Sequence, residues 1–92
     1  MDMTTIDGAR RALRPVTLRY WAGARAAAGV TEETIETGPT VGDVLDDAVA
    51  MHPDLRDVVA VCSVLLEGRA VGREAVVADG QVLEVLPPFA GG

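Results

Sequence analysis

One stretch of this 92-residue sequence decides its fold: TVGDVLDDAVAM, residues 40–51. Its apolar side chains recur at helical spacing and define one face; they are Val41, Val44, Leu45, Ala48 and Val49. Thr40 and Asp43 form a capping-box-like pair, so we predict a helix that starts at Thr40 or Val41 and ends near Met51 or His52. A helix with one apolar face buries only that face, so this helix must lie across a sheet.

The opposite face of this helix is acidic. Asp46 and Asp47 are adjacent there and could be read as a pair of catalytic carboxylates. Neighbouring residues point in different directions on a helix, so a solvated acidic face is the better interpretation.

Segments with strand patterns precede and follow the helix. Val16, Leu18 and Tyr20 alternate with outward-facing residues in a predicted strand over 16–22, which Gly23 ends. Further strands are predicted over 32–37, 61–66, 69–71 in a hairpin, the short pair 76–77, and 82–86. An Ala-rich helix over 24–28 and a short turn over 54–58 complete the pattern.

This order of elements predicts an α+β fold of the β-grasp, ubiquitin-like type. We expect a mixed sheet of about four or five strands, with one main helix packed across it and the first and last strands as central neighbours. Residues 1–15 are expected to form a mobile N-terminal arm, 16–86 the folded domain, and 87–92 a flexible tail.

The composition opposes several classes of function. The net charge is −6, which disfavours non-specific binding to nucleic acid. No apolar run approaches the roughly 18 residues of a membrane span, and residues 1–15 carry no leader pattern, so we expect no membrane association and a cytoplasmic location. The eight basic residues are all arginine, so no side chain offers a lysine amine to an isopeptide bond.

The sequence contains one cysteine and one histidine. We interpret Cys62 as a buried small apolar residue, because its neighbours are apolar, and His52 as a partner of a helix dipole at its C-terminus. A lone cysteine supplies no thiolate metal site. The sequence also lacks a P-loop and a nucleophile–base pair, so we expect a protein that is not catalytic alone and binds no cofactor or metal itself.

The last residues, Pro87-Pro88-Phe89-Ala90-Gly91-Gly92, have the pattern of a thin projecting tail. Two prolines stiffen the exit from the last strand, and two glycines give a tip without Cβ atoms that can thread a narrow cleft. Six such residues reach at most about 20 Å when extended. We predict that the Gly92 carboxylate is the working group. Phe89 could fold back on the sheet, but we expect it to fill a pocket in a partner, because it lies beyond the two prolines.

Three motifs resemble the MoaD/ThiS ubiquitin-like sulfur-carrier family. They are Arg19-Tyr20-Trp21-Ala22 with Arg25, Thr40-Val41-Gly42-Asp43-Val44-Leu45, and the segment from Asp79-Gly80 through Leu86 to Gly92. Within the family, the Pro87-Pro88 pair is most similar to the small subunit of molybdopterin synthase. The sequence departs from the family pattern at two turn positions, Glu67 and Gln81, where Asn and an acid are common.

The resemblance implies a defined chemistry for Gly92. An E1-like adenylyltransferase (MoeB-like) would join its carboxylate to AMP from ATP, and a persulfide sulfur donor would then displace AMP to leave a thiocarboxylate. The charged carrier would insert its tail, residues 87–92, into the large subunit of molybdopterin synthase (MoaE-like) and give the sulfur to a pterin precursor. On this interpretation the chain is the sulfur-donor subunit of a sulfurtransferase in molybdenum cofactor biosynthesis.

Three other functions stay open at this point. They are a sulfur carrier for thiamine or cysteine biosynthesis, a protein modifier conjugated through Gly92 to target lysines, and an interaction domain whose tail has no chemistry. The docking face is open as well. Arg19 and Trp21 alternate with the core-facing residues of the first strand, so Trp21 either anchors a partner beside the base of the tail or packs at the edge of the core.

Overall fold

The computed structural model describes residues 13–88, which form five strands and three helices. In chain order the elements are β1 (Arg14–Tyr20), α1 (Ala22–Ala28), β2 (Glu32–Thr37), α2 (Val41–Met51), α3 (Leu55–Val59), β3 (Ser63–Leu66), β4 (Arg69–Ala70) and β5 (Val82–Leu86). Residues 1–12 of the expected arm and residues 89–92 of the expected tail lie outside the described range. No helix within that range has the length and hydropathy to cross a membrane.

The strands form one mixed sheet in the order β2-β1-β5-β3-β4. β1 and β5 are parallel neighbours, with Thr17 opposite Val82 and Tyr20 opposite Val85. β2 pairs with β1, and β3 pairs with β5, both in antiparallel orientation. This arrangement confirms the predicted β-grasp fold with its neighbouring first and last strands, and it puts β5 in the middle of the sheet.

Helix α2 packs its predicted apolar stripe on one face of the sheet. Val41 and Val44 are fully buried, and Leu45 and Ala48 are nearly so. They share one core with fully buried side chains of β1 and β5, which are Val16, Leu18, Tyr20, Leu83 and Val85. Each large apolar side chain contributes about 1.5–3 kcal/mol when it is buried, so this layer stabilises the domain.

The start of α2 has the predicted capping box and a further partner from a distant loop. Asp43 N donates to Thr40 Oγ1 at 3.2 Å, and Thr40 N donates to Asp43 Oδ2 at 3.1 Å. Gly42 N donates to the carbonyl oxygen of Arg73 at 2.8 Å. A Cβ atom at Gly42 would lie 3.3 Å from that same oxygen, so the close approach of the loop explains the glycine.

The first strand begins and ends earlier than predicted, at Arg14 and Tyr20. Arg14 and Pro15 pair with Thr37 and Glu36 of β2. Because these partners are distant in the sequence, local alternation gives no signal for the extension. Residues 14 and 15 therefore belong to the sheet rather than to an arm.

The pair 76–77, predicted as a short strand, makes only an isolated bridge from Val76 to Thr40, and two further boundaries were also predicted wrongly. Gly23 lies inside α1 and does not end the strand; the chain turns at Ala22, whose φ of 48° is in the left-handed region. Val61 and Cys62 precede β3, because the end of α3 continues through a hydrogen bond from Cys62 N to Val59 O. An apolar run alone does not separate the end of a short helix from a buried strand.

The two departures from the family pattern each make a local contact. Glu67 has a φ of 50°, and its Oε2 accepts from Val82 N at 2.7 Å. Its own backbone N donates to Val82 O at 3.0 Å. Gln81 Oε1 accepts from Ala78 N at 2.8 Å across the turn at Asp79 and Gly80. Both side chains therefore hold the chain at the entry to β5.

Candidate functional site at the carboxyl end of β5

The chain leaves the sheet at the carboxyl end of β5. Leu86 pairs with Ser63 of β3, and half-buried Pro87 and exposed Pro88 follow directly. The base of the expected tail therefore starts at the centre of the sheet. The remaining residues that we assigned to the tail lie outside the described range, and they are Phe89, Ala90, Gly91 and Gly92.

The side chains that alternate with the core residues form the other face of the sheet, which we call the open face. One row across its strands consists of Glu32, Arg19, Glu84, Leu65 and Ala70. The half of this row on β2 and β1 is charged, whereas the half on β3 and β4 is apolar. Glu84 on the central strand lies where the two halves meet.

Arg19 connects three strands of the open face. Its Nε donates to Glu32 Oε1 at 3.2 Å on β2, and its Nη1 lies 3.8 Å from Glu84 Oε2 on β5. The side chain of Glu84 is 19% exposed, compared with 40% for Arg19 and 51% for Glu32. The central carboxylate is thus the most buried charge of the three, and the guanidinium balances it.

Trp21 lies beside the exit of the tail. Its backbone N donates to Val85 O at 3.2 Å, and its indole Nε1 donates to Glu84 Oε2 at 3.1 Å. If the β1–β5 register continues by one residue, Trp21 is level with Leu86, directly before Pro87. Trp21 is 39% exposed, so of the two positions left open by the sequence, the structure has the surface one.

Polar side chains on the core face are bonded to one another. Tyr20 OH donates to Glu33 Oε2 at 2.7 Å, and His52 Nε2 lies 2.7 Å from the same oxygen. The rings of Tyr20 and His52 also make a T-shaped contact, with 6.3 Å between their centroids. Burial and the Glu33 carboxylate raise the pKa of Tyr20 well above its usual range. His52 is the C-cap residue of α2 and takes part in this cluster, which gives it a structural role.

Asp46 and Asp47 point in different directions, as predicted, but the solvated face that we predicted holds only for exposed Asp46, because Asp47 is half-buried. Asp46 Oδ1 accepts from Arg73 Nη2 at 2.8 Å at an exposed site. Asp47 Oδ2 accepts from Oγ1 of buried Thr37 at 2.8 Å. The two carboxylates therefore do not act as a pair.

Cys62 is half-buried and packs against the core. It lines a cavity of about 370 Å³ whose walls are largely apolar and come from α2, α3, β3 and the chain after β4. Burial raises the pKa of the Cys62 thiol. The thiolate is the nucleophilic form, so this shift makes Cys62 less reactive at neutral pH.

The arrangement suits presentation of a surface to another protein. Over residues 13–88, no three His, Cys, Asp or Glu side chains are placed to hold a metal ion. The site consists of the tail base at the centre of a sheet, an exposed tryptophan beside it, and a charged row on the same face. Such a surface can dock on another protein while the tail reaches into it.

The family model of the ThiS family matches residues 18–92. The chain belongs to the ThiS family. The match starts within β1, includes all later strands and extends through the tail residues to Gly92. It confirms the resemblance that the three sequence motifs indicated.

The proteins to which this ThiS-family chain is similar are named for different roles. The chain is 36% identical to the molybdopterin synthase sulfur carrier subunit of Chlamydomonas reinhardtii over 78 residues, which cover 79% of this chain and 93% of that protein. Its structure resembles SAMP1, the small archaeal modifier protein 1, of Haloferax volcanii, with a TM-score of 0.77 at 28% identity over 85% of this chain and 99% of that one. It also resembles a chain of the BexX/CysO complex of Amycolatopsis orientalis, with a TM-score of 0.68 at 29% identity over 84% and 99% of the two chains.

Sequence reasoning identified Arg19 and Trp21 but missed Glu84, which joins them. A signal was present, because the strand VLEVL has one carboxylate in the middle of an apolar run. A carboxylate among apolar neighbours needs polar partners. Trp21 is 63 residues away from Glu84 in the sequence, so only the parallel pairing of β1 with β5 reveals which partners it has.

Proposed function

We propose that this ThiS-family protein is a sulfur carrier that works as the small subunit of molybdopterin synthase, with the sulfur held as a thiocarboxylate on Gly92. The observation that carries the proposal is the family match, which continues beyond β5 and the proline pair to Gly92. The similarity to a molybdopterin synthase sulfur carrier subunit supports the choice of pathway.

The proposed chemistry begins with activation of a carboxylate, which is a poor electrophile. The Gly92 carboxylate attacks the α-phosphorus of ATP, pyrophosphate leaves, and an acyl-adenylate forms. The terminal sulfur of a persulfide attacks the acyl carbon, and AMP leaves. A thiol then attacks the sulfur that belongs to the donor and forms a disulfide with it, and the acyl-bound sulfur leaves as the thiocarboxylate. This sulfur attacks a carbon of a pterin precursor, and an oxygen leaving group departs from that carbon. Water then hydrolyses the acyl–sulfur bond, which leaves the sulfur on the pterin and returns Gly92 to a carboxylate.

Nucleotide binding and catalysis belong to partners in this proposal. An E1-like adenylyltransferase (MoeB-like) supplies the ATP site, a persulfide protein supplies the sulfur, and a MoaE-like large subunit binds the pterin. The carrier contributes the position of one sulfur atom, and positioning alone can supply much of a rate enhancement. The raised pKa of the Cys62 thiol supports Gly92, rather than Cys62, as the residue that carries the sulfur.

The open face is the surface that we assign to these partners. Trp21 and Arg19 lie on it beside the tail base, and tryptophan and arginine are the side chains most enriched among residues that dominate binding energy. A protein that takes the tail into a cleft must come close to both residues. The proposal therefore puts docking and sulfur transfer at the same end of the sheet.

A second candidate is a protein modifier joined through Gly92 to lysines of target proteins. The structural similarity to SAMP1 favours it. Both functions begin with the same acyl-adenylate, so they differ only in the nucleophile that attacks it, a persulfide or an amine. Mass spectrometry of a cell lysate separates them, because isopeptide-linked Gly92 supports the modifier and thiocarboxylate supports the carrier.

The similarity to the BexX/CysO complex favours a carrier of another pathway, and co-purification of a thiazole synthase or a cysteine synthase homologue would support that version.

The test of the proposal changes the end of the chain. Deletion of Gly92 moves the carboxylate by about 3.3–3.6 Å, beyond the roughly 1 Å tolerance of positioned chemistry. One residue added after Gly92 moves it forward, and Gly91→Val puts a branched side chain into the threading tip. We expect thiocarboxylate formation to fall by at least about 100-fold in each variant. The measurement is the oxygen-to-sulfur mass change of the carrier in a reaction with the adenylyltransferase, ATP and a persulfide donor.

The matched control is Glu36→Ala. Glu36 is exposed on β2 and pairs with Pro15, at the opposite end of the sheet from the tail, so its loss should leave the reaction unchanged. Intact mass of the protein purified from its own cells shows whether the natural chain ends at Gly92. Thiocarboxylate formation at the wild-type rate in the deletion or the extended variant would refute Gly92 as the working group.

A further inference from the structure

Glu84 is a charged side chain at the centre of the sheet, between two apolar neighbours on its own strand. Val82 and Leu86 flank it along the open face of β5, and its side chain is only 19% exposed. Its Oε2 accepts from Trp21 Nε1 at 3.1 Å and lies 3.8 Å from Arg19 Nη1. A carboxylate in such a place loses hydration, and these two groups compensate the loss.

The hydrogen bond to Glu84 determines how the indole of Trp21 can be buried. An indole has one polar atom, and burial of its N–H without an acceptor carries a desolvation penalty. Because Glu84 already accepts this hydrogen bond, the ring can enter an apolar pocket and leave no donor unsatisfied. Arg19 balances the charge of Glu84, which makes exclusion of water from the carboxylate less costly.

We propose that Glu84 is a positioning residue that makes Trp21 a preformed apolar anchor for the protein that receives the tail. The inference rests on the proposed function, because it takes that protein to be the large subunit of molybdopterin synthase. Trp21 is 39% exposed, and its backbone N donates to Val85 O, two residues before Pro87, so a protein that encloses the tail also covers the indole. Its complementary surface is an apolar pocket with no acceptor for Nε1. Side chains that are held in the bound conformation before docking lose less entropy on binding.

A double-mutant cycle tests this role with the large subunit of molybdopterin synthase from the same genome. We expect Glu84→Ala to weaken its binding by about tenfold, because the covered indole N–H then has no acceptor. Glu84→Gln keeps an oxygen that can accept, so it should restore binding to within about threefold of the wild type. In a Trp21→Phe background, Glu84→Ala should have no further effect, because phenylalanine has no N–H group. Calorimetry gives the four dissociation constants of the cycle and that of Glu84→Gln.

The isolated protein supplies a second readout, because Trp21 is the only tryptophan in the sequence. Its fluorescence anisotropy and its quenching by acrylamide report how firmly the indole is held. We expect Glu84→Ala to increase quenching and lower anisotropy, and Glu84→Gln to change neither. If Glu84 only stabilised the fold, its substitution would lower the melting temperature, and Glu84→Ala and Glu84→Gln would not differ in quenching or anisotropy.

Two results would overturn the inference while the proposed function stands. Additive effects of Trp21→Phe and Glu84→Ala on binding would show that Glu84 acts without Trp21, and unchanged quenching in Glu84→Ala would show that the carboxylate does not hold the indole. Failure of the wild-type protein to bind the large subunit would overturn the proposed function together with the anchor. The quenching data then still decide whether Glu84 holds Trp21, so the two failures are distinguishable.

Discussion

The two faces of the sheet are built from the same strands and differ in what their side chains contact. On the core face, apolar side chains of β1 and β5 pack under α2, and Tyr20, Glu33 and His52 bond to one another. On the open face, Glu32, Arg19 and Glu84 form a charged row, and Trp21 stays exposed next to the tail base. Strand alternation thus lets adjacent residues serve stability on one face and, in the function that we propose, recognition on the other.

The largest effect is expected from a charge placed in the core face. Val44→Asp or Leu45→Asp puts an unpaired carboxylate at positions that are 0% and 3% exposed. The free-energy cost of burying this charge exceeds what a small core tolerates, because the whole domain is stabilised by only about 5–15 kcal/mol. We expect no cooperative unfolding transition in circular dichroism for either variant.

Ala50→Asp is the control on the same helix. Ala50 is exposed, so the new carboxylate stays hydrated. It lies near the C-terminus of α2, where a negative charge costs about 0.3–1 kcal/mol. We expect a small fall in melting temperature and a normal transition. A normal transition at the wild-type temperature in Leu45→Asp would contradict the position of the helix.

Most of the core face could be predicted from the sequence because its signals are local. The apolar stripe and the capping pair of α2 lie within 12 residues, 40–51, and the structure has the helix at the predicted bounds. Arg14 and Pro15 were missed because their strand depends on pairing with β2. Likewise, the end of the first strand depends on the left-handed conformation of Ala22, a residue whose type favours no such turn.

The open face could be predicted only in part, because its arrangement depends on contacts between strands that are distant in the sequence. Alternation along the first strand assigned Arg19 and Trp21 to it. The parallel register of β1 and β5, which places both beside Glu84, has no local signal. The chemistry of Gly92 came from the family resemblance and from the composition of the tail, and it stays a prediction.

A smaller effect is expected from Glu33 and Glu32, neighbours on β2 that point to opposite faces. Glu33→Ala removes the acceptor of the fully buried Tyr20 hydroxyl, and an unsatisfied buried donor costs about 1–3 kcal/mol. Glu32→Ala removes an exposed ion pair with Arg19, which is worth about 0–1 kcal/mol. Urea unfolding measures both free energies.

The double variant Tyr20→Phe/Glu33→Ala sharpens this comparison. Phenylalanine removes the hydroxyl that Glu33→Ala leaves without an acceptor, so the double variant should be no less stable than Glu33→Ala alone. Equal losses from Glu32→Ala and Glu33→Ala would show that the two faces do not differ in the way described.

A pH dependence at the alkaline end follows from the raised pKa of Tyr20. The neutral phenol is favoured in the folded state, so its contribution is complete below the usual tyrosine pKa near 10 and is lost as pH rises above it. The loss is at most about 1.4 kcal/mol per pH unit. Because the sequence has one tyrosine and no lysine, the absorbance of tyrosinate and the stability can be followed with little interference.

The raised pKa of the Cys62 thiol acts in the same direction, so this comparison is made in a Cys62→Ser background. There, Tyr20→Phe should flatten the alkaline loss of stability. If tyrosinate forms near pH 10 while the protein stays folded, the Tyr20 hydroxyl is not buried on the core face.

The smallest effect on sulfur transfer is expected at Cys62, which lies at the edge of the core. Its thiol is half-buried beside a largely apolar cavity, and Cys62→Ser replaces it with a hydroxyl of similar size at a cost of about 1–3 kcal/mol. Transfer of sulfur should be unchanged in the folded variant, because the proposed carrier atom is on Gly92 and the raised pKa of the thiol keeps it protonated at neutral pH. The measurements are thiocarboxylate formation by mass and the rate of iodoacetamide labelling of the wild-type thiol, which should be slower than that of a free cysteine. A variant that folds normally but no longer accepts sulfur would move the carrier role to Cys62, and the edge of the core would then be a reactive site rather than packing.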